Sequence, residues 1–225
     1  MQETEYRSQE QEIKNLELKI KNSAVALQLE DSSGKIDLAE IFGRSSPVHI
    51  EIGSGKGTFL LNQARAWPDV NFLGIEWAGK YYRYAVDRIG RWGLSNVRLI
   101  HTDAAAFLAD FVPDNCVDCF HIYFPDPWPK RRHHKRRFFN SANIEQLLRC
   151  LRVGGMIKIA TDHAEYFRLI SWLIEMNSSQ LEPIEFVPSA GADAGQLVGT
   201  NFERKYLKEQ RPIYTIAVKK TAFSV

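Results

Sequence analysis

Apolar residues along the 225-residue chain fall into two alternating patterns. Short apolar runs give way to stretches in which apolar residues recur every three or four positions, the marks of strands and amphipathic helices in turn. The predicted strands are 48–53 (VHIEIG), 71–76 (NFLGIE), 97–103 (VRLIHTD), 117–124 (VDCFHIYF) and 156–162 (MIKIATD). Predicted helices lie at 58–67, 79–92, 104–111, 138–151 and 163–177, with Tyr82, Val86 and Ile89 sharing one face of the second. A short helix is predicted over Asp37–Phe42, and Gly154-Gly155 reads as the stop signal of the 138–151 helix. Two further strands are predicted around 184–188 and 213–219. Alternation with short connections implies right-handed crossovers and a parallel sheet covered on both faces. The last strands enter without a clear helix between them and add an antiparallel edge. The predicted fold is α/β and Rossmann-like: a mostly parallel seven-stranded sheet, helices on both faces, and an antiparallel edge strand.

Composition adds boundaries to this picture. Residues 1–22 are polar and rich in Gln, Glu and Lys, with a weak helical pattern at Ile13, Leu16 and Ile20. Residues 1–35 are therefore read as a polar arm, in part frayed or partner-dependent, and 36–225 as the folded domain. At 44% hydrophobic and 25% charged residues the chain is ordinary for a globular protein. No apolar run approaches the ~20 residues of a membrane span, and the N-terminus is unlike a secretory signal, so a cytoplasmic protein without membrane contact is expected. Of three cysteines, Cys116 and Cys119 form a CxxC that would suit half a zinc knuckle or a redox pair. The pair sits inside an apolar strand, with no second CxxC and no helix start behind it, so reduced structural cysteines and no metal are expected.

The chemistry concentrates at 124–137, FPDPWPKRRHHKRR. Lys130, Arg131, Arg132, Lys135, Arg136 and Arg137 place six positive charges here, beside His133 and His134, in a chain whose net charge is only +2. Cations this local form a device for holding polyphosphate. Asp126 lies immediately before them, its backbone restrained by Pro125 and Pro127. Trp128 offers a flat face for a base, although a rigid turn capped by tryptophan is the plainer alternative. Ligands of such sheets bind outside the carboxyl ends of the strands, and acids stand at or near those ends: Glu51, Glu76, Asp103, Asp126 and Asp162. EIGSGKG (51–57) matches neither a P-loop nor a dinucleotide fingerprint and leaves GxGxG, a weak signal with Gly53 and Gly55 at the turn. Glu76 is placed to accept from ribose hydroxyls, and Asp103 suits the exocyclic amine of adenine. Glu51 at the turn suits a cationic ligand and opposes a phosphate, which favours S-adenosylmethionine over a nucleotide.

Taken in order, Glu51 with GSGKG, the acid in GIEW, Asp103 in HTDA, FPDPWPKRRHHKRR, TDHAEYF and TNFERKYL resemble the tRNA (guanine-N7-)-methyltransferase family over roughly residues 48–220. The resemblance implies a class I methyltransferase fold. It also implies methyl transfer from S-adenosylmethionine to N7 of guanosine 46 in the tRNA variable loop. Carried onto this chain, it implies cofactor contacts from Glu51, Glu76, Asp103 and Asp126, beside Gly53 and Gly55 of the turn. Substrate contacts would come from Lys130, Asp162, Thr200, Asn201, Phe202 and Glu203, and RNA contacts from Arg132, His133, His134, Lys135, Arg136 and Arg137. Asp126 would orient the guanine or the methionine end of the cofactor, while Asp162 or Glu203 would accept from the guanine N1–H and N2–H₂ edge. The rival readings are an exocyclic amino-methyltransferase and a non-catalytic RNA-binding protein on a degenerate nucleotide fold. In the first, the aromatic would follow the acid by three residues, not two. The sequence leaves a monomer and a homodimer, and the choice of tRNA, equally open.

Overall fold

A computed structural model describes residues 15, 18–20, 23–29 and 34–222; Ile13 and Leu16 of the predicted N-terminal helical pattern lie outside them. The elements run α1 (Leu38–Phe42), β1 (Val48–Ile52), α2 (Thr58–Ala66), β2 (Asn71–Glu76), α3 (Gly79–Gly90), β3 (Val97–His101), α4 (Ala104–Asp110) and β4 (Val117–Tyr123). A 3-10 helix (Arg131–Arg136) follows, then α5 (Ser141–Cys150), β5 (Leu151–Thr161), α6 (Ala164–Glu175), β6 (Leu181–Pro183), α7 (Asn201–Lys208) and β7 (Tyr214–Lys220). The strands form one sheet in the order β3-β2-β1-β4-β5-β7-β6. β1 to β5 pair in parallel, and β7 runs antiparallel to both β5 and β6. Every residue of β2 and β4 is buried, as strands covered on both faces require.

Apolar burial lies on both sides of the sheet. The larger cluster joins α1, α4, α5 and α6 to the strands, and a second sits beneath α2 and α3. α2 approaches β2 so closely that a Cβ at Gly74 would overlap the side chains of Leu60 and Leu99. Part of the predicted N-terminal arm docks on the sheet: Leu27 N donates to Leu99 O (2.8 Å), Leu99 N donates to Val25 O (2.7 Å), and Ile20 and Val25 are buried.

Two local predictions need correction. The helix expected over 138–151 begins at Ser141, where the Asn140 side chain accepts from Asn143 N, and ends at Cys150. Gly154-Gly155 does not stop it. The glycines lie inside β5, at a register shift against β4, with Gly154 at φ +81°; glycine marks a strand irregularity here. The strand expected near 184–188 closes at Pro183 instead. Beyond it Ile184 N donates to Ala217 O, and Phe186 packs onto the cluster of Phe59 and Tyr123 rather than continuing the edge.

The order reverses at β1: β2 and β3 lie to one side, β4 and β5 to the other. The carboxyl ends of β1 and β4 therefore flank the switch point, where such sheets open a crevice. Among the described residues, no helix is long and apolar enough to cross a membrane.

Candidate active site

The crevice is a cleft of about 320 Å³ lined by Gly53, Gly55, Glu76, Trp77, Asp126 and Trp128, among others. A cavity of about 240 Å³ adjoins it, lined by Glu51, Thr58, Tyr123, Thr200, Asn201 and Phe202. Gly53, Gly55, Tyr81, Tyr123 and Phe202 line both, so the two form one site. The turn between β1 and α2 holds Gly53, Gly55 and Gly57 in the left-handed region, at φ +77°, +53° and +67°. A Cβ at Gly57 would also lie 2.9 Å from Ile89 Cδ1, so this glycine lets α2 pack against α3.

The acids at the strand ends do different things. Glu51 is buried and its Oε2 has no hydrogen-bond partner; burial first, and Glu76 second, push its pKa well above the usual carboxylate range. Glu76 accepts from Gly55 N and Ala78 N, both at 2.7 Å, and braces the glycine turn against the start of α3. Asp103 is exposed and caps α4 by accepting from Ala106 N (2.9 Å); its neighbours Thr102 and Ala104 line the cleft, and Asp103 does not. Asp126 is exposed within the cleft, facing the same space as Gly53 and Glu76. Asp162 accepts from Arg211 Nη1 (2.9 Å) outside both cavities.

The loop carrying Asp126 is strained at both ends: Phe124 has φ +51° and Trp128 φ +42°. For bulky residues this is an outlier costing about 1–3 kcal/mol each, tolerated where the surroundings enforce it. The Trp128 ring is already engaged, with the Arg136 guanidinium 4.9 Å over it and the His133 ring edge-on at 5.9 Å.

Two residues assigned to ligand contact are structural. Glu203, expected to read guanine, is fully buried; its carboxylate accepts from Leu197 N (2.5 Å), Val198 N (3.0 Å) and Gly199 N (2.7 Å). Thr200 accepts from Glu203 N and caps the start of α7, while the Glu203 carboxylate reaches back past the cap to the three N–H groups before it. Arg137, expected on RNA, has a side chain only 4% exposed. Its Nε donates to Pro127 O (2.7 Å), Nη1 pairs with Glu165 (3.1 Å), and the guanidinium lies 5.0 Å over Tyr166. By contrast Lys130, Arg132, Lys135 and Arg136 are exposed, and His133 and His134 half-buried.

The residues missed from sequence are Trp77, 72% exposed at the cleft rim, with Tyr81 and Tyr123. An aromatic directly after the acid of GIEW was the available signal for Trp77. Beneath the site, Tyr123 Oη bonds His121 Nδ1 (2.8 Å), whose Nε2 bonds His49 Nδ1 (3.1 Å). Burial, aided by Lys158, lowers His49 to about 4 and His121 well below 6.5. Cys119 brings its sulfur within 4.8 Å of both imidazoles. Burial pushes its thiol up to about 12, while the two imidazoles and the Tyr123 hydroxyl form a hydrogen-bonded ladder beside it.

Residues 45–216 match the model of a family described as "Putative methyltransferase". Over 200 residues the chain is 35% identical to the tRNA (guanine-N(7)-)-methyltransferase of Rhodopirellula baltica, spanning 85% of this chain and 72% of that protein. The chain belongs to the tRNA (guanine-N(7)-)-methyltransferase family. A second family member, from Streptococcus thermophilus, is 32% identical over 188 residues, 84% of this chain and 87% of its own length. The fold is that of the class I methyltransferases. The crystal structure of a 30S ribosomal A1408 methyltransferase from an uncultured bacterium superposes with TM-score 0.56 at 17% identity, over 85% of this chain and 97% of the other. In this tRNA (guanine-N(7)-)-methyltransferase family member, the unpartnered Glu51 oxygen and the open left-handed turn at Gly53 and Gly55 fit a cationic adenosyl cofactor. Trp77 and Tyr81 offer that cofactor apolar surface.

Proposed function

We propose that this chain, with residues 36–225 as its catalytic domain and 1–35 as an N-terminal arm, methylates N7 of guanosine 46 in the variable loop of tRNA in the cytoplasm. S-adenosylmethionine, when bound, supplies an electrophilic methyl group on a sulfonium. Glu51, Glu76 and the Gly53–Gly55 turn would hold it. The observation that carries the reading is the place of Asp126: an exposed carboxylate in the same cleft as Gly53 and Glu76, one short loop before a cationic helix.

N7 of guanine carries a lone pair and no proton at neutral pH. Transfer forms the N7–carbon bond as the carbon–sulfur bond breaks, so no general base is required. The site's task is alignment, with reacting atoms about 3–3.5 Å apart and in line. Asp126 orients the base against the cleft and stabilises the cationic purine that forms. Lys130, Arg132, Lys135 and Arg136 hold phosphates and set the RNA's register without reading sequence. N7 is inaccessible in the deep groove of a regular RNA helix, so the target is a base exposed by tertiary folding.

The test is to incubate the purified chain with unmodified tRNA and labelled S-adenosylmethionine and map the product. 7-Methylguanosine at position 46 supports the reading. N6-methyladenosine would point to an exocyclic amine, and RNA binding with no label transferred would point to a non-catalytic RNA-binding protein.

A further inference from the structure

Sequence places Arg137 at the end of the cationic run, and its charge there reads as one more phosphate contact. The structure separates it from its neighbours. The 3-10 helix ends at Arg136, and at Arg137 the chain turns extended and sends the guanidinium inward. Three partners fix it: the carbonyl of Pro127 (2.7 Å), the carboxylate of Glu165 on α6 (3.1 Å) and the ring of Tyr166, 5.0 Å below. Tyr166 is itself anchored, fully buried, and its hydroxyl accepts from Phe139 N (3.1 Å).

Pro127 is the residue after Asp126, and Trp128 behind it is left-handed at φ +42°. At the other end left-handed Phe124 is tied to β5 by its N–H to Ala160 O (2.7 Å). A loop strained at both ends keeps its shape only while both ends are held. β5 holds the first end; at the second, Arg137 holds the backbone at Pro127 while Arg136 and His133 pack on the Trp128 ring. Pro125 and Pro127 lack backbone N–H groups, so the loop has little means of tying itself down.

We infer that Arg137 is a positioning residue. It clamps the Asp126 loop to α6 and contributes no charge to RNA. The inference rests on the proposed methyl transfer, because it is the orientation of Asp126 in that reaction that the clamp protects.

The experiment compares the full chain with Arg137→Met, Arg137→Lys and Glu165→Gln. Each is checked for folding by circular dichroism, then measured for kcat, for tRNA affinity across a salt series, and for amide exchange of the 123–130 peptide. Arg137→Met should lose kcat on the order of 10²-fold, the cost of a misplaced reacting geometry. Its tRNA affinity and salt slope should match wild type, and its loop should exchange faster. Arg137→Lys keeps the charge and reaches one acceptor but not both, so its kcat and exchange should fall between. Glu165→Gln should shift both in the same direction by less. A salt slope reduced by about one in Arg137→Met, with kcat and loop exchange unchanged, overturns the clamp in favour of an RNA contact. Should Arg137→Met fail to fold, Arg137→Lys with wild-type kcat and exchange overturns it equally. Loop exchange and salt slope are read without turnover. A wild-type chain that makes no 7-methylguanosine therefore defeats the functional reading while the clamp is judged separately.

Discussion

Asp126 and Glu51 are both carboxylates at strand ends, yet their surroundings give them opposite duties. Asp126 is solvent-facing within the cleft, where the proposed reaction would bring a base. Asp126→Ala should therefore reduce kcat on the order of 10²-fold with tRNA affinity retained; turnover equal to wild type would remove this residue from the chemistry. Glu51 is buried without a counter-charge, and its pKa is raised in the fold. A raised carboxyl leaves stability whole below its ordinary value of 4.5 and erodes it as pH climbs toward the folded value. Ligand-free Glu51→Gln should thus melt higher than wild type at pH 7–8, with the gap closing toward pH 4, and should bind S-adenosylmethionine more weakly. Melting curves that coincide at neutral pH would show that the acid bears no cost in the empty cleft. These acids were legible in sequence because alternation fixes where strands end. Glu203 and Arg137 were misread because residue type reports charge and not the direction of the side chain. For Glu203 a signal existed: the T-x-x-E spacing of 200–203 is that of a capping box.

The 3-10 helix Arg131–Arg136 exposes its cations in a compact cluster with no buried face of its own. Arg132 and Lys135 are exposed; the cation over the Trp128 ring is that of Arg136, and Arg132 Nε donates to His133 Nε2 (3.3 Å). The double change to Ala should weaken tRNA binding and lower the salt slope by about two. Filter binding at several salt concentrations reads this out directly, and an unchanged slope would move the RNA interface elsewhere. Continuous apolar runs such as β2 and β4 match their predicted positions closely, because strands buried on both faces are marked by composition alone. The weaker edge strand β6 was misplaced. Pro183 and the inward-turned Phe186 decide its end, and both act through packing that no local pattern reveals.

At the scale of the molecule, the sheet carries a buried polar ladder from Tyr123 through His121 to His49, running away from the cleft. Both imidazoles are held neutral in the fold, so their contribution is intact above the ordinary 6.5 and declines as pH falls toward about 4. Wild type should lose melting temperature across that window, and His49→Gln should flatten the loss; an acid limb of equal steepness in the variant would place the titration in another group. The parallel sheet and its antiparallel edge were foreseeable from alternation, but the strand order and the ladder were not, because the ladder arises from the register that sets His49 opposite Cys119 and Glu51 opposite His121. The same sheet has one further property. Residues 25–27 lie along the outer side of β3, where they occupy hydrogen-bonding groups of Leu99 that would otherwise face outward. An uncovered parallel rim is an adhesive surface for another chain. Shortening the protein to begin at residue 36 would strip that cover and leave the rim open to pairing with a second copy.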